Sequence, residues 1–166
     1  MTEWIDASAV RIVPADGERD LNVVRNLWRG YADALGVDLA FQGFEAELAV
    51  LPGRYAPPAG ALLLARDAAR RDLGCVALRP IAPPGCCEMK RLSVLPECRN
   101  RGIGRRLVEA VIDQAQRIGY REMRLDTLPT MEGAIALYEA AGFTPIAPYY
   151  DTPIAGTIFY GRPLTL

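Results

Sequence analysis

Apolar and polar residues alternate along the chain with two distinct periods, and the period changes segment by segment. Val24, Leu27, Trp28, Tyr31 and Leu35 recur at three- and four-residue spacing, which predicts a helix over 20–35 closed by Gly36. A shorter helix is predicted over 44–51, ended by Pro52-Gly53. Residues 10–13 read as a strand before Pro14. Two more strands, Ala61–Arg66 and 73–78, flank a polar turn at 67–72. Pro80 and Pro83-Pro84-Gly85 close that hairpin, and Cys86–Val94 is the next strand. Ile103, Leu107, Val111, Ala115 and Ile118 then form the apolar stripe of a helix running from near Gly102 to Gly119. A strand at Glu122–Thr127, a helix over 131–141 and two last strands near 145–148 and 157–161 complete the pattern. A loop rich in proline and tyrosine separates those last two strands. No repeat or linker divides the chain, and 166 residues suit one domain spanning 1–166.

Composition narrows the function. The net charge of −1 argues against a general nucleic-acid binder. Although 51% of the residues are hydrophobic, no apolar run reaches the roughly 18–20 residues of a membrane span. The first residues, Met1-Thr-Glu-Trp-Ile-Asp6, are acidic and lack the apolar core of a signal peptide. A cytoplasmic protein with no membrane or nucleic-acid partner is expected. The four cysteines (Cys75, Cys86, Cys87, Cys98) fit no zinc spacing, and the chain has no histidine to complete one. They are expected to be buried thiols, with no metal site. Without histidine, Ser-His-Asp and Cys-His chemistry is removed, and acid–base work falls to Glu, Asp, Tyr, Lys, Cys, water or the backbone.

The charge that matters is local. From Lys90 to Arg106 six basic residues stand against one acid, Glu97. Within that stretch a β-rich run stops at Pro96, a basic loop with two glycines follows, and the third helix begins. The first N–H groups of a helix have no intrahelical partners, and the macrodipole adds partial positive charge there. Gly102 and Gly104 let a ligand approach the backbone, and Arg99, Arg101, Arg105 and Arg106 surround them. An anion site is expected, most simply for phosphate. A P-loop requires Gly-Lys-Ser/Thr where this loop has Gly104-Arg105-Arg106, and the dinucleotide fingerprint requires glycine where Leu107 stands.

What remains, Arg99-x-x-Gly102-x-Gly104, resembles the R/Q-x-x-G-x-G/A pyrophosphate loop of the GNAT acetyltransferase family. Val94-x-Pro96 before the loop and Ala134-x-x-Leu137-Tyr138-x-x-x-Gly142-Phe143 after it strengthen the resemblance. It runs clearly from about Glu88 to Phe143 and more loosely over the whole chain. The resemblance implies an α/β (α+β) GNAT fold: a mixed, mostly antiparallel central sheet of about six to seven strands with helices on both faces. It implies an N-acetyltransferase that takes acetyl-CoA as co-substrate and acts by direct transfer in a ternary complex. The coenzyme pyrophosphate is then expected on Arg99, Asn100, Arg101, Gly102, Ile103, Gly104 and Arg105. Its pantetheine arm is expected along Leu92, Ser93 and Val94, admitted where the 86–94 and 122–127 strands splay apart. A backbone amide polarising the thioester carbonyl is typically worth ~3 kcal/mol.

An alkylamine near pKa ~10.4 must lose a proton before it attacks, at a cost of roughly 4–5 kcal/mol at pH 7. Glu88 is the expected base: it stands eleven residues before Arg99, where some histone acetyltransferases of the family carry their glutamate. By strand parity it shares a face with Lys90, Leu92 and Val94; its structural alternative is an ion pair with Lys90 or Arg91. Tyr138 resembles the family's general acid, which protonates the departing thiolate; its alternative is ordinary core packing. Met131 departs from the family, which often places asparagine or serine there. The acceptor is expected among Tyr31, Phe41, Phe44, Arg54, Tyr55, Tyr149, Tyr150 and Asp151. Arg54 or Arg91 suits a carboxylate and so an amino-acid-like amine. The partner is thus a small-molecule or peptide amine, and a homodimer through the last strands is in keeping with the family. The rival readings are a non-catalytic acyl-CoA-sensing module of the same fold and a nucleic-acid binder using the arginine patch.

Overall fold

The computed structural model describes residues 6–36, 38–40 and 43–165. The elements are β1 (Arg11–Pro14), α1 (Gly17–Leu35), α2 (Phe44–Ala49), β2 (Ala61–Arg66), β3 (Asp72–Ile81), β4 (Cys86–Val94), α3 (Ile103–Ile118), β5 (Glu122–Thr127), α4 (Glu132–Ala140), β6 (Thr144–Pro145) and β7 (Ile158–Pro163). They form one seven-stranded sheet in the order β1-β2-β3-β4-β5-β7-β6. Every neighbouring pair is antiparallel except β4 and β5.

Both faces of the sheet are covered, which explains the uninterrupted apolar run of β2. Leu63, Val76, Leu78, Met89, Met123 and Leu125 pack with Ile103, Leu107 and Val111 of α3. The alternate residues Leu62, Leu64, Cys75 and Ala77 pack with Val24 and Trp28 of α1 and Phe44 and Leu48 of α2. All four cysteines are free and buried. Among the described residues, no helix is long and apolar enough to cross a membrane.

Element boundaries moved where side-chain periodicity was silent. Helix α1 starts at Gly17, about two turns before the first residue of the stripe, Val24; Glu18 and Asp20 then sit in its first turn, where the dipole favours acids. Strand β3 runs on through Pro80 to Ile81. Pairing with β2 ends at Leu78, so Pro80 has only β4 to serve and its missing N–H breaks no ladder on the other side. The strand expected at 145–148 shrinks to Thr144–Pro145.

Candidate active site

The parallel pair β4–β5 is short. Cys86, Cys87 and Glu88 pair with Glu122, Met123 and Arg124, and there the pairing stops. Leu125, Asp126 and Thr127 keep only β7 as a partner, while β4 continues beside β3 alone. The two strands diverge as expected, leaving an opening from the sheet's middle to its edge.

A bulge shapes the β4 side of that opening. Cys75 pairs with Ser93 but Ala77 pairs with Lys90, so β4 carries one extra residue, with Arg91 at φ 59°. The bulge corrects the expected parity. Leu92 and Val94 pack toward the α3 face with Met89. Glu88 and Arg91 instead reach Arg79 and Glu47 on the α2 side.

Between α1, the start of α3 and α4 runs a groove of about 1150 Å³. Its wall includes Leu92, Ser93, Val94, Arg99, Asn100, Gly102, Ile103, Gly104 and Arg105, so nine of the ten residues expected at the coenzyme line one space; Arg101 stands outside the wall. Gly102 caps α3 at φ 77°, with no side chain bonded to the first helical amides. Those amides are therefore open to an anion. Asn100 also takes positive φ, 61°, which turns the loop tightly around them. A Cβ at Gly104 would lie 2.9 Å from Leu137 Cδ1, so the glycine lets α4 close against the loop. Arg99 donates from Nε to the Val94 carbonyl at 3.2 Å, which holds its stem beside the groove. Arg106, counted with the anion patch in the sequence, does something else: its guanidinium binds the carbonyls of Ala7 and Val10 and ties α3 to the segment before β1.

At the inner end lies a small open cavity walled by Tyr31, Lys90, Asp126, Tyr138 and Tyr150, with Tyr31, Leu35, Leu92 and Met131 shared between cavity and groove. Tyr138 is buried against Phe143 and Tyr160 at ring separations of 6.1 and 6.5 Å. Burial, and then the nearby Tyr31 and Asp126, pushes its phenol well above the usual range, so it is protonated at neutral pH. Burial lowers the Lys90 ammonium against the opposing pull of Glu88 and Asp126. Met131 makes the junction apolar, as its sequence position implied.

Glu88 is 1% exposed and stands off the cavity wall. Arg79 donates to its Oε1 at 2.9 and 2.8 Å, and the Tyr149 hydroxyl donates to its Oε2 at 2.5 Å. Arg79 is thus an ion-pair partner that the sequence reading did not name, and Arg91 is engaged by Glu47 instead. Arg91 pairs with Glu47 at 3.1 Å and lies over Phe44 at 4.9 Å. The remaining acceptor expectations divide. Tyr31 and Tyr150 line the cavity; Tyr149 does not, being held by Glu88 and by Phe159 at 5.2 Å. Arg54 is exposed, donates to the Pro80 carbonyl at 2.6 Å, and reaches neither space. Phe44 and Tyr55 belong to the core, Asp151 is exposed, and Phe41 lies outside the described residues.

Asp126 escaped the sequence reading. Its signal was there: Glu122, Arg124 and Asp126 alternate with apolar Met123 and Leu125, so a carboxylate sits at the far end of a half-buried strand. Among the described residues no cluster of three or more Cys, Asp or Glu can hold a metal ion. Burial pushes the Cys75 and Cys87 thiols up to about 12, which leaves them protonated and poor nucleophiles.

Residues 28–143 match the model of the acetyltransferase (GNAT) family. An uncharacterised N-acetyltransferase of Schizosaccharomyces pombe is 42% identical over 155 residues, covering 93% of this chain and 92% of that protein. An acetyltransferase of the GNAT family from Staphylococcus aureus superposes with a TM-score of 0.78 at 20% identity, over 95% of this chain and all of that one. The Salmonella typhimurium yncA protein, solved with its cofactor acetyl-CoA, superposes with a TM-score of 0.71 at 20% identity, over 95% of each chain. By sequence and by fold, this chain belongs to the GNAT family and is an acetyl-CoA-dependent N-acetyltransferase.

Proposed function

We propose that the groove binds acetyl-CoA and that the protein transfers its acetyl group to the primary amine of a small molecule or peptide by direct attack in a ternary complex. One observation carries this reading: a continuous opening runs from the uncapped amides of α3 to the buried hydroxyl-bearing side chain of Tyr138. The residues fit the donor. Amides of residues 102–105 and the Arg99 guanidinium meet the pyrophosphate, and the free edge of β4 beyond Glu88 offers backbone groups to the pantetheine amides. The thioester then lies at the inner cavity. A carboxylate beside the split accepts the proton that the ammonium must lose. Tyr138 gives its phenolic proton as charge builds on the sulfur. Its raised pKa matches that task because the same burial also makes the thiolate more basic. With an amine as direct nucleophile, no cysteine is acylated.

Calorimetric titration with acetyl-CoA tests the donor site. Micromolar binding is expected in the wild-type protein. The Arg99→Ala/Gly102→Glu variant should lose about 30-fold or more, because it removes a cation and sets a carboxylate among the open amides. Equal affinity in the two proteins would place the coenzyme elsewhere.

A further inference from the structure

Two carboxylate–tyrosine pairs flank the split, and they differ in what they can reach. Glu88 precedes it, in the last paired position of β4, with both oxygens engaged by Arg79 and Tyr149. Asp126 lies two residues beyond Arg124, the last β5 residue paired to β4, and its side chain lines the inner cavity with Tyr138. The Tyr150 hydroxyl donates to Asp126 Oδ2 and fixes the carboxylate's orientation. A proton acceptor must lie within hydrogen-bond reach of the proton it takes. Asp126 can meet that condition from the cavity wall, whereas Glu88 stands off the wall with its oxygens bonded to the half-buried Arg79 and to Tyr149.

We infer that Asp126, oriented by Tyr150, binds the acceptor's ammonium and accepts its proton. The rest of the wall sets the class of amine. The wall is mixed: Lys90, Arg91 and the hydroxyls of Thr127 and Thr152 stand beside Leu35, Leu39, Leu128 and Ile154, so a primary amine paired with Asp126 has apolar surface for its carbon body on the leucine side only. This inference rests on the acetyl-transfer reading and names the acceptor half of the same site.

The step balances as follows. The ammonium passes one proton to the Asp126 carboxylate, and the freed nitrogen lone pair forms the N–C bond. The C–S bond breaks and its electron pair stays on sulfur, which takes the Tyr138 phenolic proton. Tyr138 recovers a second proton from the nitrogen, the amide keeps the third, and Asp126 releases its proton to solvent.

The charged and titratable groups around Asp126 are Glu88, Lys90 and Arg91 of β4, Arg124 of β5, Tyr31 of α1, Tyr138 of α4, and Tyr149 and Tyr150 of the loop before β7. In this setting the pH dependence has a definite sign. With Asp126 present, turnover does not wait for free amine. Without it, the rate follows the free-amine fraction and climbs until the amine's own pKa, near ~10.4.

The test measures kcat/KM from pH 6 to 10 for the full chain with acetyl-CoA and a panel of phenethylamine, benzylamine, hexylamine and L-phenylalanine. Asp126→Asn, Tyr150→Phe and Glu88→Gln are compared, with acetyl-CoA affinity and thermal melting read on each. Asp126→Asn should lose about 100-fold or more at pH 7, with the deficit narrowing as pH rises and acetyl-CoA affinity retained. Tyr150→Phe should show a smaller loss of the same pH form, and Glu88→Gln a profile of wild-type shape. The inference is overturned if the Asp126→Asn profile runs parallel to wild type, if Glu88→Gln carries the pH-dependent loss, or if no panel amine is acetylated by protein that binds acetyl-CoA. A wild-type protein that fails to bind acetyl-CoA overturns the transfer reading first, and this one with it.

Discussion

Tyr138 joins two roles in one side chain, and its position separates them. The ring packs in the core against Phe143 and Tyr160. The residue also lines the cavity beside Asp126 and Tyr31. Tyr138→Phe removes the oxygen and leaves the ring contacts, so it isolates the proton donor. It should lower kcat by about 100-fold while acetyl-CoA affinity stays within about two-fold, since only an interaction made as charge develops is lost. Matched losses in kcat and affinity would instead assign Tyr138 to packing. At this scale the motif residues were legible because each needs a particular chemistry: glycine at φ 77° for Gly102, an open amide at the helix start, a phenol at 138. Asp126 and the Glu88–Arg79 pair were not, because their meaning depends on which strands separate and which cation crosses the sheet.

At the scale of elements, the hinge of the site is the β3–β4 contact around the bulge. Periodicity located both strands, yet a strictly alternating strand puts Leu92 and Val94 on the Glu88 face. One inserted residue at Arg91 reverses them, and no alternation rule on the sequence announces it. Gly74 marks the same place. It pairs with Val94, and a Cβ there would stand 2.5 Å from the Ser93 carbonyl oxygen and 3.3 Å from Leu107 Cδ1. The oxygen belongs to backbone, so the strands must part to admit even a methyl group. Gly74→Ala should therefore cost about 2–3 kcal/mol and lower the melting temperature by roughly 4–12 °C. Acetyl-CoA affinity should fall too, since Ser93 and Val94 line the groove. A melting temperature equal to wild type would show that the β3–β4 pair yields more easily than its register implies.

Across the whole molecule, the sheet can part in its middle because its flanks are tied. Arg106 of α3 fastens the segment before β1, and on the other face Arg66 of β2 links Asp20 of α1 at 2.9 Å to Asp72 of β3 at 2.7 Å. Burial works to raise the Asp20 pKa, but the Asp16 amide and the Arg66 guanidinium outweigh it and hold the carboxyl below its ordinary value. A carboxyl lowered by folding contributes stability that is present above its unfolded pKa, near ~3.9, and is lost as pH falls through the folded one. Asp20→Asn should therefore lower the melting temperature by about 4–8 °C at pH 7, for a loss of about 2 kcal/mol. The gap from wild type should hold between about pH 5 and 7 and close below about pH 4, as the wild-type carboxylate is itself protonated. A gap of constant size down to pH 2.5 would mean that Asp20 acts by shape rather than charge. In that case the tie between α1 and the sheet would have to rest on the packing of Val24 and Trp28 alone.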